Sequence, residues 1–350
     1  MYILIAIIAF GVMIFVHELG HFLAAKASNV TVTEFSIGMG PLLWKKERGE
    51  TQYSLRALPL GGYCAMEGED GESDDPRAFS RQRPWKRLVI LCAGAAMNFL
   101  LGLLFVIAVY APSYGFASPV ISDFYENCPY EGTLQVGDEI RRVNGERVYS
   151  SDNFAEYAAR DTDGRLDLVV RRGARRLHLD DYLMVPVEYE TERGREVKYG
   201  LYFEIAENTP LVTLKYSFYS CLDFVRMVKE GLVQLISGQT AVTEMTGVVG
   251  MVDIINETGQ NAASVGEGLE NILFLLALIS VNLAVMNMLP VPGLDGGHIL
   301  TLLLSLLYET IAGKKPDPRI ENHIHTAGLF LLLALMVLIF FNDIVRIAVR

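Results

Sequence analysis

The sequence predicts a polytopic α-helical membrane protein: four transmembrane helices, a membrane-associated β segment and an extracytoplasmic β-rich domain. Three observations predict it. The 350 residues are 51% hydrophobic and only 20% charged, with a mean hydropathy of +0.29, too apolar for an ordinary water-soluble domain of this length. Four apolar stretches suit a bilayer, in which about 20 residues of helix cross roughly 30 Å of hydrocarbon. Between them lie segments with the period-two alternation and turn residues of β structure.

Taken in order, residues 1–25 form the first span, apolar from Tyr2 to about Phe22. With no basic start and no obvious processing site, it is expected to be a helix of the protein and not a cleaved signal. Residues 26–87 turn β-like. Val30–Thr33 and Thr51–Leu55 are β-branched or alternating, Glu47–Glu50 reads as a turn, and Gly38-Met39-Gly40-Pro41 and Pro59-Leu60-Gly61-Gly62 punctuate the region. The acidic run Glu67–Pro76 is expected to be a solvated, mobile loop. Residues 88–111 are the second span. Residues 118–206 form a compact β-rich domain, with a strand at Leu134–Gly145 interrupted by two turn signals and further short strands at Leu166–Val170 and Val185–Val187. Residues 210–268 are read as an amphipathic helix, apolar every third or fourth residue from Tyr216 to Ile236, followed by a linker. Residues 272–300 contain the third span, apolar from Ile272 to Leu289, and residues 326–342 the fourth, from Thr326 to Phe341.

Basic residues set the orientation. Ten Lys and Arg lie between Lys26 and Arg87, and Lys314, Lys315 and Arg319 lie between the third and fourth spans. The positive-inside rule puts both segments in the cytoplasm and both chain termini outside. A formal net charge of −11 argues against a nucleic-acid partner, which needs clustered cations. Cys64, Cys92, Cys128 and Cys221 form no CxxC pair and read as free thiols.

The chemistry lies in His17-Glu18-Leu19-Gly20-His21, an HExxH pattern inside an apolar helix. Residues four apart share a helix face, so both imidazoles can hold one Zn²⁺ with Glu18 beside it as general base. Ionisable groups in a membrane helix are costly and by default functional. A catalytic zinc takes a third protein ligand and keeps one position for water. The third span ends in Asn287-Met288-Leu289-Pro290-Val291-Pro292-Gly293-Leu294-Asp295-Gly296-Gly297-His298. There the prolines break the helix and the glycines allow a tight turn toward Asp295. His17 follows about 15 apolar residues, roughly 23 Å of helix from the outer end, so it and Asp295 meet at one depth. His298, a helical turn from Asp295, is the rival ligand. His178, His323 and His325 read as surface residues. A transporter would also bury ionisable groups, but it needs no HExxH with a matched ligand, and the four spans show no repeat symmetry.

Gly137-Asp138-Glu139-Ile140-Arg141-Arg142-Val143-Asn144-Gly145 resembles the PDZ family, which binds peptides by adding a strand to a sheet edge. The HELGH of the first span, the Asn-x-x-Pro-x-Pro-x-Leu-Asp-Gly-Gly of the third and the PDZ-like insertion together resemble the site-2 protease family. The match is closest to its bacterial regulator-of-sigma-factor type with a single PDZ domain. Gly38–Pro41, Ala93–Asn98 and Thr246–Gly250 also resemble family segments, the last with Val248 where the family has proline. The resemblance implies a bacterial cytoplasmic-membrane enzyme that cuts transmembrane proteins or peptides, such as anti-sigma factors or remnant signal peptides. It implies one zinc held by His17, His21 and Asp295, with Glu18 activating water. It also implies that Asn287 holds the substrate backbone, that the segment around Gly38 and Gly40 pairs with substrate, and that the PDZ-like domain takes a substrate's outer segment or C-terminus. A catalytically inactive relative that only binds membrane proteins is the alternative, and such relatives lose a ligand or the base.

Overall fold

The computed structural model describes residues 1–69, 71, 73–161, 163–191, 194–240, 246–314 and 318–349. Lys315, used above for orientation, and Asp70 and Glu72 of the acidic run lie outside the described residues. The chain divides into two compact units, Met1–Val109 with Ser220–Arg350, and Tyr110–Tyr219.

In the first unit, helices α1 (Tyr2–Ala27), α2 (Pro84–Tyr110), α6 (Val265–Asn287) and α8 (Pro318–Val349) carry the four segments long and apolar enough to cross a membrane. Helices run beyond the apolar stretches because hydrogen bonding continues after hydropathy falls. The 26 residues of α1 span about 39 Å. Small residues let the helices meet backbone to backbone, as membrane helices do without a hydrophobic driving force. A β-carbon on Gly20 would lie 2.4 Å from the Ala93 carbonyl oxygen, and one on Gly102 would lie 2.7 Å from Val281. Of the four, α8 is the least buried and shows most of its apolar side chains outward.

The β segment is one long hairpin of β1 (Val32–Arg48) and β2 (Thr51–Met66), with the turn where the sequence places it. Each strand bends back on itself. Ser36 pairs with Ser54 on one side and with Tyr63 on the other, while Lys45 also pairs with Ser54. The spatial order is therefore 42–48, 51–56, 32–39 and 58–66, a four-stranded sheet from two strands. The two glycine-proline segments do not end strands, as expected from sequence, but bend them. Gly38 and Gly40 take φ of +84° and +81° and Gly61 +95°, conformations open to glycine at no steric cost. In the acidic run Asp75 accepts from the Thr31 hydroxyl at 2.9 Å, and Ser73 donates to Glu67 at 2.7 Å.

Two helices fall where the sequence suggested none. Residues 288–294 break the chain after α6, and α7 (Asp295–Ala312) begins at Asp295 itself, so residues 272–300 are not one span. Helix α5 (Val248–Asn261) occupies the expected linker. Its first turn is held by Asp343 of α8, whose carboxylate accepts from the amides of Gly247 and Gly250 at 3.2 and 2.9 Å. Ile255 of α5 joins Ala6, Phe10 and Met13 of α1 and Ile272 and Leu276 of α6 in one core. Helix α4 (Pro210–Ile236) starts earlier than its apolar period, with proline at its first position and Thr209 accepting from the Val212 amide at 3.3 Å.

The second unit is a β-rich fold. Its sheet runs β10 (Leu201–Glu207), β3 (Gly115–Phe124), β4 (Glu139–Val143), β6 (Arg165–Arg172) and β7 (Arg175–Leu183), with β5 (Glu146–Arg147) beside β4. Helix α3 (Ser151–Ala159) and the hairpin β8 (Val187–Thr191) and β9 (Gly194–Lys198) complete it. Of the expected strand Val185–Val187, only Val187 is in a strand. The Gly-Asp motif is structural here. Asp138 is fully buried and takes a two-pronged contact from Arg172, both bonds 2.8 Å. Asn144 and Gly145 make the following turn at positive φ.

Candidate active site

Helix α1 sets His17 and His21 one turn apart, facing α2. Helix α2 receives them with backbone alone. The Ile90 carbonyl lies 2.9 Å from His21 Nδ1. Gly94 has to be glycine, since a β-carbon there would lie 2.3 Å from His21 Nε2 and 2.6 Å from His17 Cε1. Helix α6 ends at Asn287, whose Nδ2 is 3.4 Å from both ring nitrogens of His17. The break then folds so tightly that a β-carbon on Gly296 or Gly297 would lie 2.3 Å from backbone oxygens of residues 288–291. This turn delivers Asp295 to the two histidines.

The three donor atoms form a cluster. His17 Nε2 and His21 Nε2 are 3.2 Å apart, and Asp295 Oδ2 is 3.4 Å from each. Ligand bonds of about 2.0–2.1 Å at tetrahedral angles separate donors by about 3.3 Å, so the spacing fits a zinc ion. The chemistry agrees. Asp295 Oδ2 is buried with no hydrogen-bond partner, and a proton given by His21 Nδ1 to Ile90 leaves the Nε2 lone pair directed at the same point. Three acceptors converging in an apolar interior need a cation. His17, His21 and Asp295 are the one such group of three among the described residues. His298 is not part of it. It stacks on His325 of α8, ring centroids 3.7 Å apart. His325 is therefore not the surface residue expected: it accepts from the Gly293 amide at 3.4 Å and lies 3.1 Å from the Thr301 hydroxyl, bracing the turn before Asp295.

The sequence pattern of peptidase family M50 matches residues 5–335. The chain belongs to this family. M50 peptidases are the site-2 protease type, and this chain is a membrane-embedded metalloprotease. A protein of Clostridium perfringens named as a candidate zinc metalloprotease is 35% identical over 99% of both chains, and one of Clostridium acetobutylicum named likewise is 34% identical over 98% of this chain and 97% of its own. The regulator of sigma-W protease RasP of Bacillus subtilis is 25% identical over 97% of both. A solved PDZ domain from Listeria monocytogenes is 16% identical, covering 26% of this chain and 92% of its own, with a TM-score of 0.20 that carries no argument.

Around the M50 cluster lies a cavity of about 310 Å³. Glu18 lines it, and so do Tyr63, Cys64, Ala65 and Met66 of the last bend of β2, together with Leu294 and His298. Gly62 of the same bend lies close enough that a β-carbon would sit 3.3 Å from Glu18 Cγ. The structure thus brings His17, Glu18, His21, Asp295 and Asn287 together. It does not bring Gly38 and Gly40 to the cavity. Sequence reasoning missed Tyr63–Met66, Ile90 and His325. Only Gly94, inside a quoted family segment, carried a signal, and its close contact needs the packed helices to be seen.

Proposed function

We propose that the chain is an intramembrane zinc endopeptidase that hydrolyses peptide bonds within transmembrane segments of membrane proteins. The convergence of His17, His21 and Asp295 beside Glu18, inside apolar helices, carries this reading. Those three residues would hold one zinc ion, which would supply Lewis acidity and a water of lowered pKa. Glu18, beside the cluster in the same cavity, is placed as the general base that takes up a proton and returns it to the leaving amine. Asn287 steadies the substrate backbone beside His17. A helical substrate hides its peptide bonds behind i to i−4 hydrogen bonds, so it must be unwound. The 58–66 bend, laddered on one side, offers replacement backbone bonds to an extended segment. Gly38 and Gly40 act from the neighbouring strand by shaping that sheet.

The likeness to RasP supports regulated proteolysis of single-span proteins, with anti-sigma factors and remnant signal peptides as the substrate classes. The positive-inside pattern supports a bacterial cytoplasmic membrane crossed four times, both termini outside, and an outer PDZ-like domain at 118–206. That domain receives a substrate's outer segment or C-terminus.

Incubating the purified protein in detergent with a panel of single-span peptides tests the reading. Cleavage that stops with a zinc chelator and in Glu18→Gln supports it. Cleavage unaffected by both rejects it.

A further inference from the structure

The bend of β2 that lines the cavity sends Cys64 and Met66 into the core, but packing alone does not set its register. Among the described residues, 58–66 ladder to 32–39 on one side, with irregular register, and Gly61 turns the chain at positive φ. Yet this strand must keep its place, because Tyr63, Cys64, Ala65 and Met66 form one wall of the cavity that Glu18 and the metal cluster share. A single β ladder with register shifts is prone to slip.

A polar cluster on the face of the sheet supplies a constraint on that register. Glu34, in the strand paired with 58–66, accepts from the Ser54 hydroxyl at 2.6 Å and from Arg56 Nη2 at 2.9 Å. The same Nη2 donates to the Tyr63 hydroxyl at 2.6 Å, and Nη1 donates to the Gly40 carbonyl at 3.0 Å. One guanidinium therefore ties together the strand behind, the central strand, the glycine bend and the cavity strand. The planar fork of arginine suits this divided task, and lysine with its single point of charge does not. Burial works to raise the Glu34 carboxyl, but its bonds to Ser54, Arg56 and Tyr63 hold it down to about 2, so it stays ionised.

We infer that Glu34 and Arg56 are positioning residues for substrate capture: through Tyr63 they fix the register of the cavity strand against Glu18. The inference deepens the proposed strand-addition reading and rests on it. Gly40, off the cavity, then acts through Arg56. Neither Glu34 nor Arg56 lines the cavity or touches the metal ligands, so their loss leaves the metal site intact and weakens the grip on an extended peptide.

The test uses the full-length protein in detergent, with zinc content, cleavage kinetics and, on a Glu18→Gln background, direct binding of a fluorescent single-span peptide. Arg56→Lys and Glu34→Gln are expected to keep zinc, to weaken peptide Kd and raise KM about tenfold, and to change kcat less than about threefold. Tyr63→Phe, which keeps the ring, should move Kd in the same direction by less. Unchanged Kd and KM in Arg56→Lys and Glu34→Gln overturns the inference. So does loss of zinc or a fall confined to kcat, because the cluster would then support the metal site. A wild-type protein that cleaves no peptide, while Arg56→Lys weakens peptide binding on the Glu18→Gln background, sinks the proteolytic reading and leaves this one standing.

Discussion

At the scale of single residues, the site divides into groups that act through side chains and groups that act through backbone. Glu18→Gln keeps shape but cannot take a proton, so it should retain zinc and the fold while losing about 10²–10⁴ in cleavage rate. Metal analysis and a peptide assay on one preparation check this. Asp295→Asn removes the anionic donor and should lower zinc occupancy, whereas His298→Ala, which removes a ring stacked on His325, should keep the metal. The reverse result would make His298 the ligand. Gly94→Ala places a methyl 2.3 Å from His21 Nε2 and should cost zinc and activity together, although alanine is a better helix former. The histidines and Glu18 were legible in the sequence because a helix repeats locally. Ile90 and His325 were not, because each reaches the site from a distant part of the chain.

At the scale of elements, the β hairpin shows what periodicity misses. Its turn at 47–50 is readable from Gly49 and its charged neighbours, but the folding of two strands into four depends on glycine bends whose direction no pattern reveals. Glu34 gives this sheet a pH signature. Its carboxyl sits at about 2 against an ordinary 4.5, so its contribution to stability is complete above about 4.5 and is lost as pH falls toward 2. Acid titration of the hairpin's thermal stability should show that loss, and Glu34→Gln should remove it. Helix α5 was invisible for a related reason: its first turn is capped from α8 by Asp343, 93 and 96 residues away along the chain. The break at 288–294 was legible from its prolines, while the new helix starting at Asp295 was not.

At the scale of the whole molecule, the four helices long and apolar enough to cross a membrane were legible in the sequence, since a bilayer demands length and apolarity and little else. The structure divides into two units, one of them Tyr110–Tyr219. Every group in the metal cluster and its cavity belongs to the other unit. Deleting 118–206 and bridging the ends should therefore leave cleavage of a short single-span peptide intact. If the domain selects substrates, the same deletion should admit full-length proteins that the intact enzyme refuses. Comparing the two substrates in one assay checks this, and loss of both activities would make the domain a structural part of the enzyme.

The carbonyl that orients His21 belongs to Ile90, and every residue has a carbonyl. An alanine scan would register position 90 as a buried packing residue, not as the partner of an imidazole. The instruction is written in where α2 lies, not in a letter of the sequence. Only a change to the main chain itself, such as an ester in place of the amide after Ile90 to weaken that acceptor, would expose it. Inventories of essential side chains will therefore undercount what keeps this imidazole in line.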